Sequence, residues 1–293
     1  TRLDTYKKAL PVALAYLSIP NSKKAFGTSL TTTGTWTATS TYGTTGKSIA
    51  TKTAGSTATV TMDGSVLYVA GTRVEAANTG SITVYVDDLV MGTYSCSGVK
   101  PSSTQKRTYA PFMARLSGLQ NGPHTVRIVS NSDGYCQIDW VGGNANLTAF
   151  PRVYVGGALL MTPDRYIKNS PAGSVQSNTL YNTVITQTRD MLASDGLNVI
   201  TAPTETTYNP VTDISSDNVH PNDLGHQRLA TTFINSFKED TYKFKSNTPV
   251  RLIAFPTNAS STINWIGCDS KTGNTCKIKM VGNKTPTVEF IAL

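Results

Sequence analysis

At 293 residues and 31.3 kDa the chain is long enough for two or three domains. Charged residues make up 15% of it, against roughly 25% in ordinary soluble domains, apolar residues 39%, and threonine is roughly one residue in seven. That balance excludes a coiled coil, a disordered chain and a transmembrane protein. No apolar run approaches the ~20 residues that cross a bilayer, and the first residues lack a signal-peptide layout. β-Branched residues punctuated by Gly and Asn predict a largely β-sheet chain. The net charge of +8 is scattered, with no basic run longer than a pair such as Lys7-Lys8. Without interleaved aromatics a nucleic-acid partner is not expected. A solvated surface is the plain reading, and attraction to an acidic polysaccharide the alternative.

Residues 4–18 predict a helix capped by Asp4, with Leu10, Leu14 and Leu17 on its buried face. Pro11 is placed to kink it or to open a new first turn. From about 26 to 147 short alternating runs follow, at 57–62, 66–70, 81–86, 125–129 and 135–141. In the third, Ile82, Val84 and Val86 alternate with Ser81, Thr83 and Tyr85, the pattern of a half-buried strand. Such strands predict an antiparallel sandwich, and the Thr/Ser/Gly-rich stretch 28–45 reads as edge strands and loop. Core packing is the expected role of Trp36, Trp140 and Trp265, with stacking on sugar rings as the alternative, Trp36 and Trp140 being the glycan-binding candidates. His124 reads as an exposed, inert turn residue, and Asp87-Asp88 as a turn.

At Pro151 the pattern changes. A strand at 152–155, a helix over 178–195 closed by Gly196, a strand at 197–202, a loop and a last helix capped by Asn222 make half of a parallel α/β unit. Beyond about 243 short strands return. The expected fold class is therefore α/β, with a partial parallel sheet, an inserted antiparallel β-sandwich and a small C-terminal β appendage. The segments are 1–25, 26–147, 148–242 and 243–293. Cys268 and Cys276 flank a hairpin-like turn where a bridge is geometrically possible. The spacing of Cys96, Cys136, Cys268 and Cys276 is not that of zinc ligation. Free, buried thiols are the expectation.

The segment richest in chemistry is Asp217-Asn218-Val219-His220-Pro221-Asn222-Asp223-Leu224-Gly225-His226. It follows the second α/β strand and precedes the last helix, where open α/β sheets place their ligands. An Asp three residues before a His on a tight turn can hold the imidazole and stabilise its protonated form. Asp213 is a substitute for that carboxylate, and His226 reads as structural.

The pattern Asp217-x-x-His220-Pro221-x-x-x-Gly225 resembles the last block of the SGNH (GDSL-type) hydrolases. The strand at 152–155, the helix that follows it and the N-terminal helix look like pieces of that family. The run Gly122-Pro123-His124-Thr125-Val126-Arg127-Ile128 through Asp139-Trp140 is similar to galactose-binding-like jelly rolls. Together they look like a carbohydrate O-deacetylase of phage tail fibres and tailspikes. The resemblance implies a serine-type esterase acting on O-acetyl groups of a bacterial surface polysaccharide, with His220 as general base and Asp217 orienting it. It implies no metal and no cofactor, no nucleic-acid or membrane partner, a virion-tail or extracellular location, and a homotrimer if the chain is a tailspike.

The family also needs a Gly-Asp-Ser nucleophile and an oxyanion hole. Ser29 in Gly27-Thr28-Ser29 precedes a threonine run unsuited to a helix, and Ser270 follows the histidine in the wrong order. Asn144 in Gly142-Gly143-Asn144 is the candidate oxyanion donor. The nucleophile is therefore expected upstream of Thr1, in the same polypeptide or a cleaved companion chain, and residues 1–293 alone are expected to be inactive. The alternative is a non-catalytic carbohydrate-binding or receptor-binding adhesin.

Overall fold

Helix α1 (Arg2–Ser18) runs through Pro11 without a break. It buries Val12, Leu14 and Ala15, with Ile19 just beyond its end, while Leu17, expected on the buried face, is 55% exposed. The computed structural model describes residues 2–40, 45–74, 79–98, 109–144, 152–159, 174–217, 220–238, 247, 249–254, 261–282 and 284–292. They form two compact units, Thr1–Asp240 and Thr241–Leu293.

The first unit is dominated by antiparallel strands: β1 (Lys24–Phe26), β2 (Thr31–Thr33), β3 (Thr37–Thr39), β4 (Ser48–Thr51), β5 (Thr57–Gly64), β6 (Leu67–Val74), β7 (Ser81–Val86), β8 (Leu89–Ser95), β9 (Tyr109–Leu116), β10 (Gly122–Ser130) and β11 (Cys136–Gly143). A six-stranded sheet has the order β3-β4-β11-β6-β9, with β1 also pairing β11; a five-stranded sheet has the order β2-β5-β10-β7-β8. The two pack face to face as a sandwich of jelly-roll type. Leu67, Val69, Ile138 and Val141 from the first sheet meet Ile82, Val84, Val126 and Ile128 from the second.

The six-stranded sheet is covered on its other face too. Tyr68, Ala70 and Trp140 point away from the sandwich core and join Val12, Ala15, Ile19, Leu192, Leu197 and Val199 in a second core. Alternate residues of β6 thus enter different cores, and β11 is buried throughout. A strand buried on both faces reads as a nearly continuous apolar run rather than an alternating one. Trp140 is therefore 0% exposed, tilted against the Tyr16 ring of α1 at 5.8 Å between centroids. Core packing thus holds for Trp140, and the alternative of a sugar platform is corrected: a helix covers it.

Against that second face lie β12 (Val153–Gly156), α2 (Ser174–Ser194) and β13 (Val199–Ala202), followed by the single turn α3 (Thr204–Thr207) and α4 (Asp223–Lys238). β12 and β13 are parallel, in register from Val153 with Val199 to Gly156 with Ala202. Gly196 ends α2 at φ 81°, the left-handed conformation glycine adopts without a Cβ penalty. The N–H of Leu197 then turns back to the Leu192 carbonyl at 3.0 Å. No helix of the described residues is long and apolar enough to cross a membrane.

The second unit holds β14 (Pro249–Ile253), β15 (Ser261–Ile266), β16 (Ser270–Thr272), β17 (Thr275–Lys279) and β18 (Thr287–Ala292). They form a three-stranded sheet β14-β17-β16 and a ribbon β15-β18 around Ala254, Trp265, Cys276 and Ile278. Trp265, 6% exposed, is a core residue.

The expected free thiols are corrected as well. Cys96 is bonded to Cys136 and Cys268 to Cys276, with Cα separations of 5.2 and 5.6 Å. Backbone pairing dictates the first bridge. The N–H of Val74 donates to the Cys96 carbonyl and that of Cys96 to the Gly80 carbonyl, each at 3.0 Å, and Thr79 bridges Tyr135. These pairings carry the chain after β8 to the start of β11.

Candidate functional site

The Asp217-His220 turn is built on an anchor four residues earlier. Asp213, with a fully buried side chain, accepts the Asn209 N–H at 2.8 Å, the Thr212 hydroxyl at 2.7 Å and Arg228 Nη1 at 3.0 Å. Burial pushes its carboxyl up, but these donors together hold it below the usual carboxylate range. Its carbonyl accepts the Asn222 N–H at 2.9 Å. Asn222 caps α4 by accepting the Gly225 N–H at 2.9 Å, and its amide donates to the carbonyls of Thr212 and Ile214. An Ile214–Pro221 bridge and the Ser215 N–H donated to the His220 carbonyl at 2.8 Å close the loop into a small antiparallel clip. Asp213, considered as a substitute catalytic acid, is a loop anchor.

At the tip of that clip, His220 Nδ1 lies 2.5 Å from Asp217 Oδ2, and its backbone N–H donates to Oδ1 at 3.0 Å. The Ser215 hydroxyl donates to the same Oδ1 at 2.5 Å. A carboxylate accepting at Nδ1 selects the tautomer whose Nε2 carries the lone pair. The imidazole is 76% exposed, and Nε2 meets no described partner. Chemically this is an oriented base with a carboxylate behind it, open to a proton from an incoming hydroxyl. Ser215, Arg228 and the capping role of Asn222 toward the loop were not visible as site features in the sequence; Arg228 lies 15 residues from its partner. His226 bonds the Asn222 carbonyl at 3.0 Å from Nδ1.

The other candidates lie elsewhere. Asn144 Oδ1 accepts the N–H groups of Ser65 and Val66, each at 2.9 Å, while its Nδ2 donates to the Asp195 carbonyl at 2.7 Å. With its amide committed on both sides it is a tie between the sandwich and the end of α2, and the oxyanion assignment is corrected. The Ser29 hydroxyl donates to the Phe26 carbonyl at 2.8 Å, within a short turn of the sandwich. Ser270 is on β16 of the second unit. The position upstream of Thr1 lies outside the described residues. His124, expected to be inert and exposed, has an 11% exposed side chain with both ring nitrogens bonded, at 2.6 Å to Asp87 Oδ2 and 2.6 Å to the Gln120 carbonyl.

Trp36 is half-buried against the sandwich core, and its indole N–H is enclosed without a partner. Beside it, at the β3–β4 edge of the six-stranded sheet, lies an open cleft of about 410 Å³. Thr35, Thr37, Thr39, Thr51 and Thr53 line it, with Lys52 and Tyr135. Among the described residues no carboxylate lines it. Among the described residues no group of three His, Cys, Asp or Glu side chains is placed to hold a metal.

No protein-family model matches the chain. No curated protein matches it either. Among solved structures, it is similar to the CBM36-1 domain of a multidomain xylanase from the hindgut metagenome of Trinervitermes trinervoides, with 13% identity, TM-score 0.32, and coverage of 40% of this chain and 92% of that one. A carbohydrate-binding module CBM36 in complex with calcium and xylotriose gives 13% identity and TM-score 0.30 over 40% and 96% of the two chains. A family 6 carbohydrate-binding module gives 22% identity and TM-score 0.30 over 40% and 89%.

Proposed function

We propose that the chain binds a polysaccharide through its β-sandwich. The observation that carries this reading is the cleft at the β3–β4 edge. It is open and threonine-lined, it offers Tyr135 and Lys52, and among the described residues no carboxylate lines it. Sugar hydroxyls are recognised by such exchangeable donors and acceptors, with an aromatic face taking the apolar side of a ring. Two disulfides support an extracellular setting, a virion tail included. Isothermal titration of the protein with bacterial surface polysaccharides tests the reading. Thr37→Trp, which fills the cleft from an exposed position, is expected to weaken binding at least about 10-fold. Unchanged affinity overturns the reading.

A second reading rests on a different observation, the exposed, carboxylate-backed His220. In it the α/β portion contributes the base of an O-deacetylase. A hydroxyl nucleophile from outside the described residues attacks the acetyl carbonyl, and His220 Nε2 takes its proton. Asp217 stabilises the imidazolium, which returns the proton to the leaving sugar oxygen before water resolves the acyl intermediate. Leu180 on α2 and Leu224, Ile234 and Phe237 on α4 are more than 40% exposed, which supports further protein covering these helices. Acetate release by the full-length protein is the test. His220→Ala is expected to lower it by roughly 10²–10⁴-fold with glycan binding retained. Binding without any acetate release leaves the adhesin reading alone.

A further inference from the structure

Building on the polysaccharide reading, we infer that the second unit selects for negative charge, its three-stranded sheet taking a carboxylate-bearing polysaccharide. The charge of the chain is concentrated there. Residues 241–293 hold seven Lys and Arg against two Asp and Glu, a net +5 out of the +8 of the whole sequence.

The strand period decides where those charges point. Leu252, Cys276 and Ile278 turn into the small core, so Arg251, Lys277 and Lys279 stand on the exposed outer face. The register sets Arg251 directly opposite Lys277. Like charges facing each other across a strand pair destabilise a sheet, so this pairing is the reverse of what stability alone favours. No ion pair to either side chain is made by a described residue.

Both cations border a groove of about 490 Å³ whose walls include Pro249 and Val250. Apolar walls beside cations of one sign focus the field on an incoming anion. Asp269 is the one carboxylate among the described residues that line the groove, and it is engaged: it accepts the Lys279 N–H and, at 3.3 Å, the Lys284 ammonium. Three cations thus face one neutralised anion. A single-stranded nucleic acid would want aromatic platforms for its bases, and among the described residues no aromatic side chain lines this groove. Repeating carboxylates on a hydrophilic chain match the face better.

The test uses the full chain with three probes: polygalacturonate, neutral dextran and duplex DNA. Polygalacturonate is expected to bind tightest and to weaken as salt rises. Arg251→Gln combined with Lys277→Gln is expected to cost at least 10-fold in that affinity without lowering the melting temperature, since a repulsive pair is removed. Should the pair of changes unfold the protein, Lys277→Gln alone is expected to cost about 3-fold. Unchanged polygalacturonate affinity in these variants, or DNA bound as tightly as polygalacturonate, overturns the inference. Loss confined to Thr37→Trp overturns it while leaving the cleft reading intact, and no binding to any polysaccharide overturns both.

Discussion

Arg115 on β9 grips the carboxylate of Asp195 with Nε, at 2.7 Å from Oδ2, and with Nη2 on the other oxygen. The Tyr68 hydroxyl of β6 donates to Oδ2 at 2.5 Å. The Asp195 side chain is fully buried and Arg115 one-third exposed. Burial and this bond push the Tyr68 hydroxyl above its usual range. The residue just beyond α2 is thus bolted to two strands of the six-stranded sheet, and Asn144 holds its carbonyl from a third.

Removing one member of such a cluster strands the others without partners. Asp195→Ala is expected to lower the unfolding free energy by about 3 kcal/mol, the low end for a buried pair because Arg115 reaches water. Urea titration of the wild type and the variant measures it. A change below about 1 kcal/mol would show that the bolt is decorative.

The Asp87–His124 pair predicts a pH dependence. His124 faces two acceptors, the Asp87 carboxylate and the Gln120 carbonyl, and only the doubly protonated ring can donate to both. Its pKa is raised from 6.5 chiefly by the bond to Asp87, and that of Asp87 is lowered from 3.8 by the same bond. A raised histidine contributes stability that is complete below 6.5 and is lost as pH climbs through the folded value. A lowered aspartate contributes above 3.8 and fails as pH falls through its own folded value. The pair therefore supports the β7–β8 hairpin most between these limits. An NMR titration of His124 is expected to give a midpoint above 6.5. Asp87→Asn is expected to bring it down, and a midpoint at or below 6.5 in the wild type contradicts the geometry.

The Cys96–Cys136 bridge, both residues 0% exposed, closes a loop with a sequence separation of 40. Loop-closure entropy gives it about 4 kcal/mol, and the 8-residue Cys268–Cys276 separation about 2.5 kcal/mol. Replacing Cys96 and Cys136 together by Ala is expected to destabilise the first unit by several kcal/mol, and the second pair to act on the second unit alone. Calorimetry with each pair removed separates them. Equal loss in one shared transition would mean that the two units unfold together.

What was legible in the sequence follows from which faces are half-buried. β7 alternates because only one face meets the core, and its run at 81–86 was plain. β9 was missed: Pro111 interrupts it, and such a residue is tolerated because β9 is the edge of its sheet. Core packing of Trp140 was legible, but not what covers it, because nothing local in β11 reveals that α1 lies on its outer side. The Asp217–His220 contact was legible at three residues' spacing. The anchor beneath it was not, since Asp213 meets Arg228 across 15 residues, and neither was the separate Asn144–Asp195 tie, which spans 51.

The rigidity of the His220 loop hangs on a missing side chain. A Cβ at Gly225 would sit 2.2 Å from the Asp213 carbonyl oxygen and 3.0 Å from the Pro221 Cβ, so α4 packs on the loop only through glycine. That carbonyl already accepts the Asn222 N–H, and Asn222 in turn accepts the Gly225 N–H. Gly225→Ala must therefore push the helix start away, loosening the cap and the clip together at a cost of about 1–3 kcal/mol. His220→Ala, at a 76% exposed side chain, is expected to change stability by no more than about 0.5 kcal/mol. The two variants thus part company: one alters activity without the fold, the other disturbs both. Melting curves together with the His220 imidazole resonances read the difference. If Gly225→Ala left both the melting temperature and the Nδ1–Asp217 contact intact, the loop would not be the rigid mount described.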